Sequence, residues 1–307
     1  MQNIADELKK KLAGSVQRNR ACALLFSGGL DTSILAALNP RAKAISVSLK
    51  SFGEDIHYAK SVAADLNLKH LHRTVEIEEA VEAIPQIIKI LQTFDPAIPN
   101  DLVVYFGLKL AKKLGIKEIM TGDASDELFA GYSYMQKIHD LASYLKKISQ
   151  TMEFSSNKLG EFFKIKIVQP FLDRELRDFA LKVDTAYKIR KQNNRVWGKW
   201  ILRKAFEDAL PKRVIWQKKR PLEYGSGMRR LREIINSRVG DSEFEKARKS
   251  LPVKFISKEH FYYYKIYKRT VGEIPLAKKG KNSCPGCGRG VKKKFFHCGV
   301  CGWAQPI

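Results

Sequence analysis

No stretch of about 18 apolar residues occurs in this 307-residue chain, so a membrane-spanning helix is not expected. The N-terminal MQNIADELKKKLAGS lacks the apolar core of a signal peptide and reads as an amphipathic first helix. Cysteine is sparse: there are five, and four of them fall in the last 24 residues, which is unlike the spread of a secreted disulfide framework. Cys22, alone in the first predicted strand, reads as a small buried apolar residue. No internal repeat and no low-complexity block is present. These absences point to a cytoplasmic protein with no membrane partner. Acidic residues are missing too, but only locally, since none follows Glu273.

What is present is a core and a lopsided charge. Hydrophobic residues are 44% and aromatic residues 10%, which excludes wholesale disorder, and the length suits two domains or one large domain with an appendage. The 56 Lys and Arg outnumber the 32 Asp and Glu for a net +24. Residues 1–180 carry only +2 of this, residues 181–240 carry +12, residues 241–274 carry +3 and residues 275–307 carry +7. A late basic surplus fits either a polyanionic partner or a solvated basic surface.

Apolar runs alternate with helical periodicity in the first 130 residues. Strands are predicted at 21–26, 43–49, 70–77 and 117–122, and helices after the first loop and at 57–68, 80–94 and 102–115. Pro85 belongs near the start of its helix, because an interior proline loses a backbone hydrogen bond. Short connections between alternating elements predict an α/β fold with a parallel sheet covered on both faces. From about residue 126 to Tyr267 the pattern is mainly helical. A Pro/Gly/Lys-rich linker at 275–283 divides a domain spanning 1–274 from a cysteine-rich tail at 284–307.

The segment ALLFSGGLDTSILAAL (23–38) carries the first chemical signal. Ser27-Gly28-Gly29 ends a strand and opens a helix, so a tight glycine turn delivers free backbone N–H groups and a positive dipole end to an anion. Ser27, Thr32 and Ser33 add hydroxyls, and there is no Walker lysine. Asp31 would repel a phosphate unless a cation such as Mg²⁺ intervened; it could equally cap the helix.

SGGLDTS resembles the pyrophosphate-binding loop of the ATP pyrophosphatases. Thr121-Gly122-Asp123-Ala124-Ser125-Asp126-Glu127-Leu128-Phe129-Ala130-Gly131-Tyr132 resembles the GDGxDELFGGY signature of the asparagine synthetase family. Pro170–Asp173, Leu202-Arg203 with Leu210-Pro211, and WQKKRPLEYGSG (216–227) follow in that family's order, so the resemblance covers about residues 15–235. It implies an adenine-nucleotide α-hydrolase-like (PP-loop) sheet followed by helices. The implied reaction joins ATP to a carboxylate or related oxygen as an adenylate, releases pyrophosphate, and lets an amine displace AMP.

By that resemblance ATP and pyrophosphate contact Ser27, Gly28, Gly29, Asp31, Thr32, Ser33 and Gly122, with Val47 at the adenine pocket. Asp31 and Asp126 would be Mg²⁺ ligands, as hard carboxylate oxygens suit that ion. Lys219 would neutralise charge on the leaving group, although Lys218 beside it could do the same. Asp123 either positions ammonia or the acceptor, or caps the helix that starts near Ser125. Glu127, Phe129 and Tyr132 read as scaffold. The glutamine-dependent members begin Met-Cys, whereas residue 2 here is Gln2, so glutamine hydrolysis by this chain is not expected. Ammonia would come from solution, from a separate glutaminase, or be replaced by another nucleophile. TFDPAIPND (93–101), where aspartate would be recognised, has no arginine.

The tail carries Cys284, Cys287, Cys298 and Cys301 as two CxxC pairs, with Gly288, Gly299 and Gly302 after three of them. Two such knuckles suit a structural zinc ribbon; an iron–sulfur centre or a redox dithiol pair would use the same residues. Lys292, Lys293 and Lys294 precede Phe295 and Phe296, with Trp303 beyond, and basic and aromatic side chains so interleaved suit RNA such as tRNA. The aromatics could instead pack the ribbon's small core. Arg229 and Arg230, and the stretch Tyr187–Arg195, extend the basic surface.

Three functions follow from these features. The leading one is an ATP-dependent, AMP-forming ligase that makes an amide. The second is a tRNA-modifying enzyme that adenylates an RNA base and docks the RNA through its ribbon. The third, an inactive nucleotide-binding regulator, sits poorly with an intact Ser27, Asp31, Asp126 and Lys219.

Overall fold

Five short strands form one parallel sheet: β1 (Ala23–Leu25), β2 (Lys43–Leu49), β3 (His70–Val75), β4 (Glu118–Met120) and β5 (Lys166–Val168), in spatial order β3-β2-β1-β4-β5. The structure is a computed structural model and describes residues 2–50, 55–192, 194–293 and 295–305. In the first part of the chain the helices are α1 (Gln2–Arg18), α2 (Leu30–Leu38), α3 (Asp55–Asp65), α4 (Ile77–Leu91) and α5 (Ile98–Lys113). After β4 come the short α6 (Ser125–Phe129), a 3₁₀ turn at Ser133–Lys137, α7 (Leu141–Ile148) and α8 (Ser155–Phe163).

Beyond β5 lie α9 (Arg174–Lys182) and α10 (Thr185–Lys188), then a small antiparallel hairpin of β6 (Arg190–Gln192) and β7 (Arg195–Trp197). The remaining helices are α11 (Trp200–Ala205), α12 (Lys212–Ile215), α13 (Leu222–Gly225), α14 (Arg230–Ser237), α15 (Asp241–Ser250) and α16 (Lys258–Thr270). No helix among the described residues is long and apolar enough to cross a membrane.

The sheet is covered on both faces, as the strand–helix alternation implies. Residues of α4, α5, α14 and α16 share one buried cluster with β2; residues of α1, α2, α9 and α11 share another with the sheet's opposite side. The four tail cysteines belong to the first cluster, so the ribbon is packed into the main core. Part of the expected linker is laid along it, because Ala277 N–H donates to Gly288 O at 3.1 Å and Gly290 N–H to Pro275 O at 3.1 Å.

Three local expectations change. Pro85 lies inside α4, past its second turn, because Ala80, Ile84, Ile87, Ile88 and Leu91 are buried along one face and their packing offsets the lost hydrogen bond. Cys22 is exposed and just outside β1; its thiol faces Glu118 O at 3.7 Å on the sheet's rim. The "mainly helical" half also supplies the edge strand β5, whose three residues and leading Lys166 give too short an alternation to stand out.

Candidate active site

The order of the sheet reverses between β1 and β4, and ligands of open α/β sheets bind outside the carboxyl ends of the strands at such a point. The loop after β1 brings Ser27, Gly29, Asp31 and Thr32 there, and the loop after β4 brings Thr121, Gly122 and Asp123. Together with Val47, Ser156, Lys199, Arg203, Lys218 and Lys219 they line one cleft of about 220 Å³. Gly28 has φ +74°, and a Cβ there would meet Ala59 Cα at 3.0 Å. Ser27 Oγ accepts from Gly29 N–H at 3.2 Å and lies 3.1 Å from Thr32 Oγ1, while Ser33 Oγ donates to Gly28 O at 3.1 Å. These bonds hold the turn open over the start of α2. Asp31 does not cap that helix: Gly29 occupies the cap position and Asp31 sits in the first turn.

Asp31 instead begins a chain of alternating charges. Its Oδ1 accepts from Ser125 Oγ at 2.7 Å and its Oδ2 from Lys199 Nζ at 2.6 Å. Lys199 Nζ also lies 2.7 Å from Asp126 Oδ1, and Lys219 Nζ donates to Asp126 Oδ2 at 2.6 Å. Burial works against ionisation of Asp126, but Lys199 and Lys219 outweigh it and bring its carboxyl down to about 2. Burial likewise works against the charge on Lys219, and Asp126 and Asp31 overcome it and raise its pKa. The contact of Lys199 with Asp126 Oδ1 lies off the hydrogen-bond direction, so this buried oxygen has no aligned donor. Two carboxylates, one of them with this under-satisfied oxygen, and the Ser125 hydroxyl are hard oxygen donors of the kind Mg²⁺ takes, and the Lys199 ammonium holds the place between the carboxylates in this structure. Gly131 is required beside them: a Cβ on it would fall 1.8 Å from Asp126 Oδ1 and 2.3 Å from Lys199 Cε.

Lys199, which stands between the two expected metal ligands, is absent from the sequence reading. It is 3% exposed, adopts the left-handed conformation at φ +54°, and caps the start of α11. A signal existed: a lysine at a helix N-terminus opposes the dipole, and here it immediately precedes the apolar Trp200-Ile201-Leu202. Arg203, one turn on, is buried and bonds Gly198 O at 2.9 Å, Gln217 O at 3.1 Å and Ile215 O, which fixes the segment leading to Lys219. Burial brings its guanidinium down to about 10. Lys218 lines the same cleft, but the ammonium held by Asp126 is that of Lys219, which also lies 5.4 Å over the Tyr132 ring. Tyr132 donates its hydroxyl to Glu127 Oε1 at 2.7 Å, so both residues brace the lysine.

Asp123 does not cap α6, whose cap position is Ala124. Its Oδ2 accepts from Thr121 Oγ1 at 2.7 Å, Ser156 Oγ at 2.6 Å and Gln169 Nε2 at 2.9 Å, which fixes the carboxylate in the lining of the cleft. Ser156 and Gln169 were not anticipated, because they reach Asp123 from α8 and from beyond β5. Arg232, just after the basic pair, is internal: it spans Glu223 at 2.7 Å and Glu259 at 2.5 Å and reaches the 93–101 loop through Pro96 O at 2.9 Å, so its guanidinium is engaged by two carboxylates and the loop backbone.

The basic residues divide. Arg229 stacks on Tyr224 at 4.4 Å and Arg230 pairs with Glu233 at 2.8 Å, both exposed at the start of α14. Within Tyr187–Arg195, Arg190, Lys191 and Arg195 are exposed, whereas Lys188 is buried because the short α10 turns it inward; burial lowers its pKa to about 8. Lys292 and Lys293 are exposed, and Lys294 lies outside the described residues.

The four cysteine sulfurs lie within 4.8 Å of one another, with Cys284–Cys301 at 3.6 Å and Cys287–Cys298 at 3.8 Å. A tetrahedral ion with metal–sulfur distances of about 2.3 Å needs sulfurs about 3.8 Å apart, so the donors fit one such ion. Gly286 N–H donates to Cys284 Sγ at 3.3 Å. Phe295 and Trp303 pack on each other at 5.4 Å and form the ribbon's interior. The ribbon is pinned to the α4–α5 loop: Phe94 N–H and Thr93 Oγ1 donate to Val300 O at 2.7 and 3.1 Å, and His297 Nε2 lies 2.9 Å from Asp95 Oδ2.

The asparagine synthase family model matches residues 3–169 and 155–273. A protein named as a probable glutamine-hydrolysing asparagine synthetase from Dictyostelium discoideum is 29% identical over 282 residues, which is 80% of this chain and 50% of that one. The glutamine-hydrolysing asparagine synthetase of Asparagus officinalis is 29% identical over 275 residues, covering 80% of this chain and 47% of that one. The chain thus spans about half the length of the curated relatives it matches. A solved structure, the U34-tRNA thiolase NcsA from Methanococcus maripaludis with its 4Fe–4S cluster, covers 94% of this chain and 84% of its own at 13% identity and a TM-score of 0.32. A likeness that loose says nothing about substrate or cluster.

Proposed function

This chain belongs to the asparagine synthase family, and from that premise we propose that it is an AMP-forming ligase whose cleft adenylates a carboxylate or carbonyl oxygen. The observation that carries this reading is the row Asp31–Lys199–Asp126–Lys219 beside the Ser27 loop. An acceptor oxygen attacks the α-phosphorus of ATP, the bond to the β-phosphate breaks, and pyrophosphate leaves. An amine then adds to the activated carbon and AMP departs. The Ser27–Ser33 turn offers N–H and hydroxyl donors to the departing phosphates, and Lys219 and Lys199 offset the charge that grows there. Asp31 and Asp126 would hold Mg²⁺, which when bound would offset the negative charge of the phosphates. Val47 and its strand border the adenine, and Asp123, held by three donors, faces the incoming acceptor or amine.

The four cysteines would hold structural zinc, since four thiolates leave no open coordination position. A second reading, adenylation of an RNA base, draws on the ribbon's attachment to the α4–α5 loop and on the seven cations and no acid in the sequence of residues 275–307. One experiment separates the two: pyrophosphate release by the full chain with Mg·ATP, screened across amino acids with ammonia and across total tRNA. Release with amino acids alone supports the amide ligase, release with tRNA alone supports the RNA enzyme, and release with neither overturns both.

A further inference from the structure

An aromatic path joins the ribbon to the lysine end of the cleft. Phe296, the ribbon ring not used in its interior, meets Tyr144 of α7 at 5.3 Å between centroids. Tyr144 meets Tyr134 at 6.4 Å, and their hydroxyls are 3.1 Å apart. Tyr134 stacks on Tyr132 at 5.6 Å and 7°, and Tyr132 lies under Lys219. Tyr134 is among the few large rings left exposed, at 39%. Tyr132, Tyr144 and Phe296 are half-buried, so Tyr134 presents the open ring of the path.

The path is edged by cations. Lys137 follows Tyr134 by one 3₁₀ turn and Lys147 follows Tyr144 by one turn of α7, which puts each lysine on the same helix face as its ring. Lys146, Lys147, Lys292 and Lys293 are all exposed. Between residues 128 and 152 the single acid is Asp140, and its carboxylate is engaged as the cap of α7, accepting from Ser143 N–H at 3.1 Å. In the cleft Lys199 and Lys219 are each held by a carboxylate; along this path, among the described residues, Lys147 shares the capping Asp140 and no carboxylate pairs with Lys137, Lys146, Lys292 or Lys293.

We infer that this composite face of ribbon, 3₁₀ turn and α7 binds single-stranded RNA, with Tyr134 stacking a base and the flanking lysines holding phosphates, so that a nucleotide is led to the Tyr132–Lys219 rim. It deepens the RNA reading of the same site and rests on it. A duplex hides its bases and offers phosphates alone, whereas a single strand offers both faces and charge.

The test uses the full metal-loaded chain and a short, unstructured fluorescent RNA, titrated over a range of salt. Tyr134→Ala should weaken binding about tenfold or more, the size of one lost base stack, and Tyr134→Phe should retain it. Lys146→Ala with Lys147→Ala should lower the salt slope by about 1.4, or about 0.7 per lost phosphate contact. Lys112→Ala with Lys113→Ala, exposed at the end of α5 away from the cleft, should change nothing. Equal losses in the two lysine pairs, tighter binding of the matching duplex, or unchanged binding in Tyr134→Ala would each overturn the surface; a protein ligand would also show no preference for RNA. ATP binding is followed in parallel on each variant, so a failed nucleotide site and a failed RNA face give different results.

Discussion

The cleft and the ribbon face treat positive charge in opposite ways. In the cleft Lys199 and Lys219 are fixed within 2.7 Å of carboxylates; Lys199 is shared between Asp31 and Asp126, and Asp31 is held further by the Ser125 hydroxyl. Along the ribbon and α7, lysines stand exposed with a single capped acid among them. The first arrangement is preorganised: the ions are already oriented when a phosphate arrives, and little reorganisation remains. The second has no built-in partner, and its attraction is long-ranged and falls with salt. The same residue type thus serves chemistry in one region and capture in the other, according to what faces it.

The sharpest way to break this contrast is to remove the buried bridge. Lys199→Ala leaves Asp31 and Asp126 facing each other with only Lys219 between them and solvent, which should cost about 3–5 kcal/mol by denaturant unfolding. Added Mg²⁺ should restore more stability to this variant than to the parent, since an ion can stand where the ammonium stood. Parental stability in Lys199→Ala would end the account of the bridge. Lys219→Ala comes next: turnover should fall about 10²–10³-fold while ATP binding stays measurable by equilibrium dialysis. Undiminished turnover would remove the lysine from the mechanism and give Lys218 the role. A smaller effect is expected from Cys298→Ser or chelation, which should raise amide exchange at Phe94, where the ribbon's Val300 is bonded, and leave β1 and β4 protected. Unfolding of the sheet along with the ribbon would mean that the two regions are one cooperative unit.

How much of this was written in the chain depends on sequence distance. The glycine turn at 27–29 and the CxxC pairs were legible because their ligating groups are neighbours and the spacing itself encodes the geometry. Asp126 and Lys219 were legible only through resemblance, since nothing local says that residues 93 positions apart will meet at 2.6 Å. Lys199, Ser156 and Gln169 escaped notice because each looks ordinary where it stands and acquires meaning only from what the fold lays against it. Pro85 misled for the converse reason: a strong local penalty was outweighed by one buried face of α4.

Between the two regions lies a group that handles charge a third way, by giving it up. Asp101, fully buried in the first turn of α5, is raised to about 7, chiefly by burial and further by Asp95, against a hydrogen bond from Ser155. Its folded pKa exceeds the unfolded value of about 3.9, so between those limits the native state binds more protons than the unfolded chain. Stability from this residue is therefore intact below about pH 4 and declines as pH rises, by at most about 1.4 kcal/mol per unit, until the folded carboxyl ionises near 7. Asp101→Asn imitates the protonated form at every pH. The difference in Tm between Asp101→Asn and the parent should grow from pH 5 to pH 7 and then level off. A difference that stays flat over that range would mean that Asp101 is ionised in the native protein, and that the seam between ribbon and cleft holds a buried charge after all.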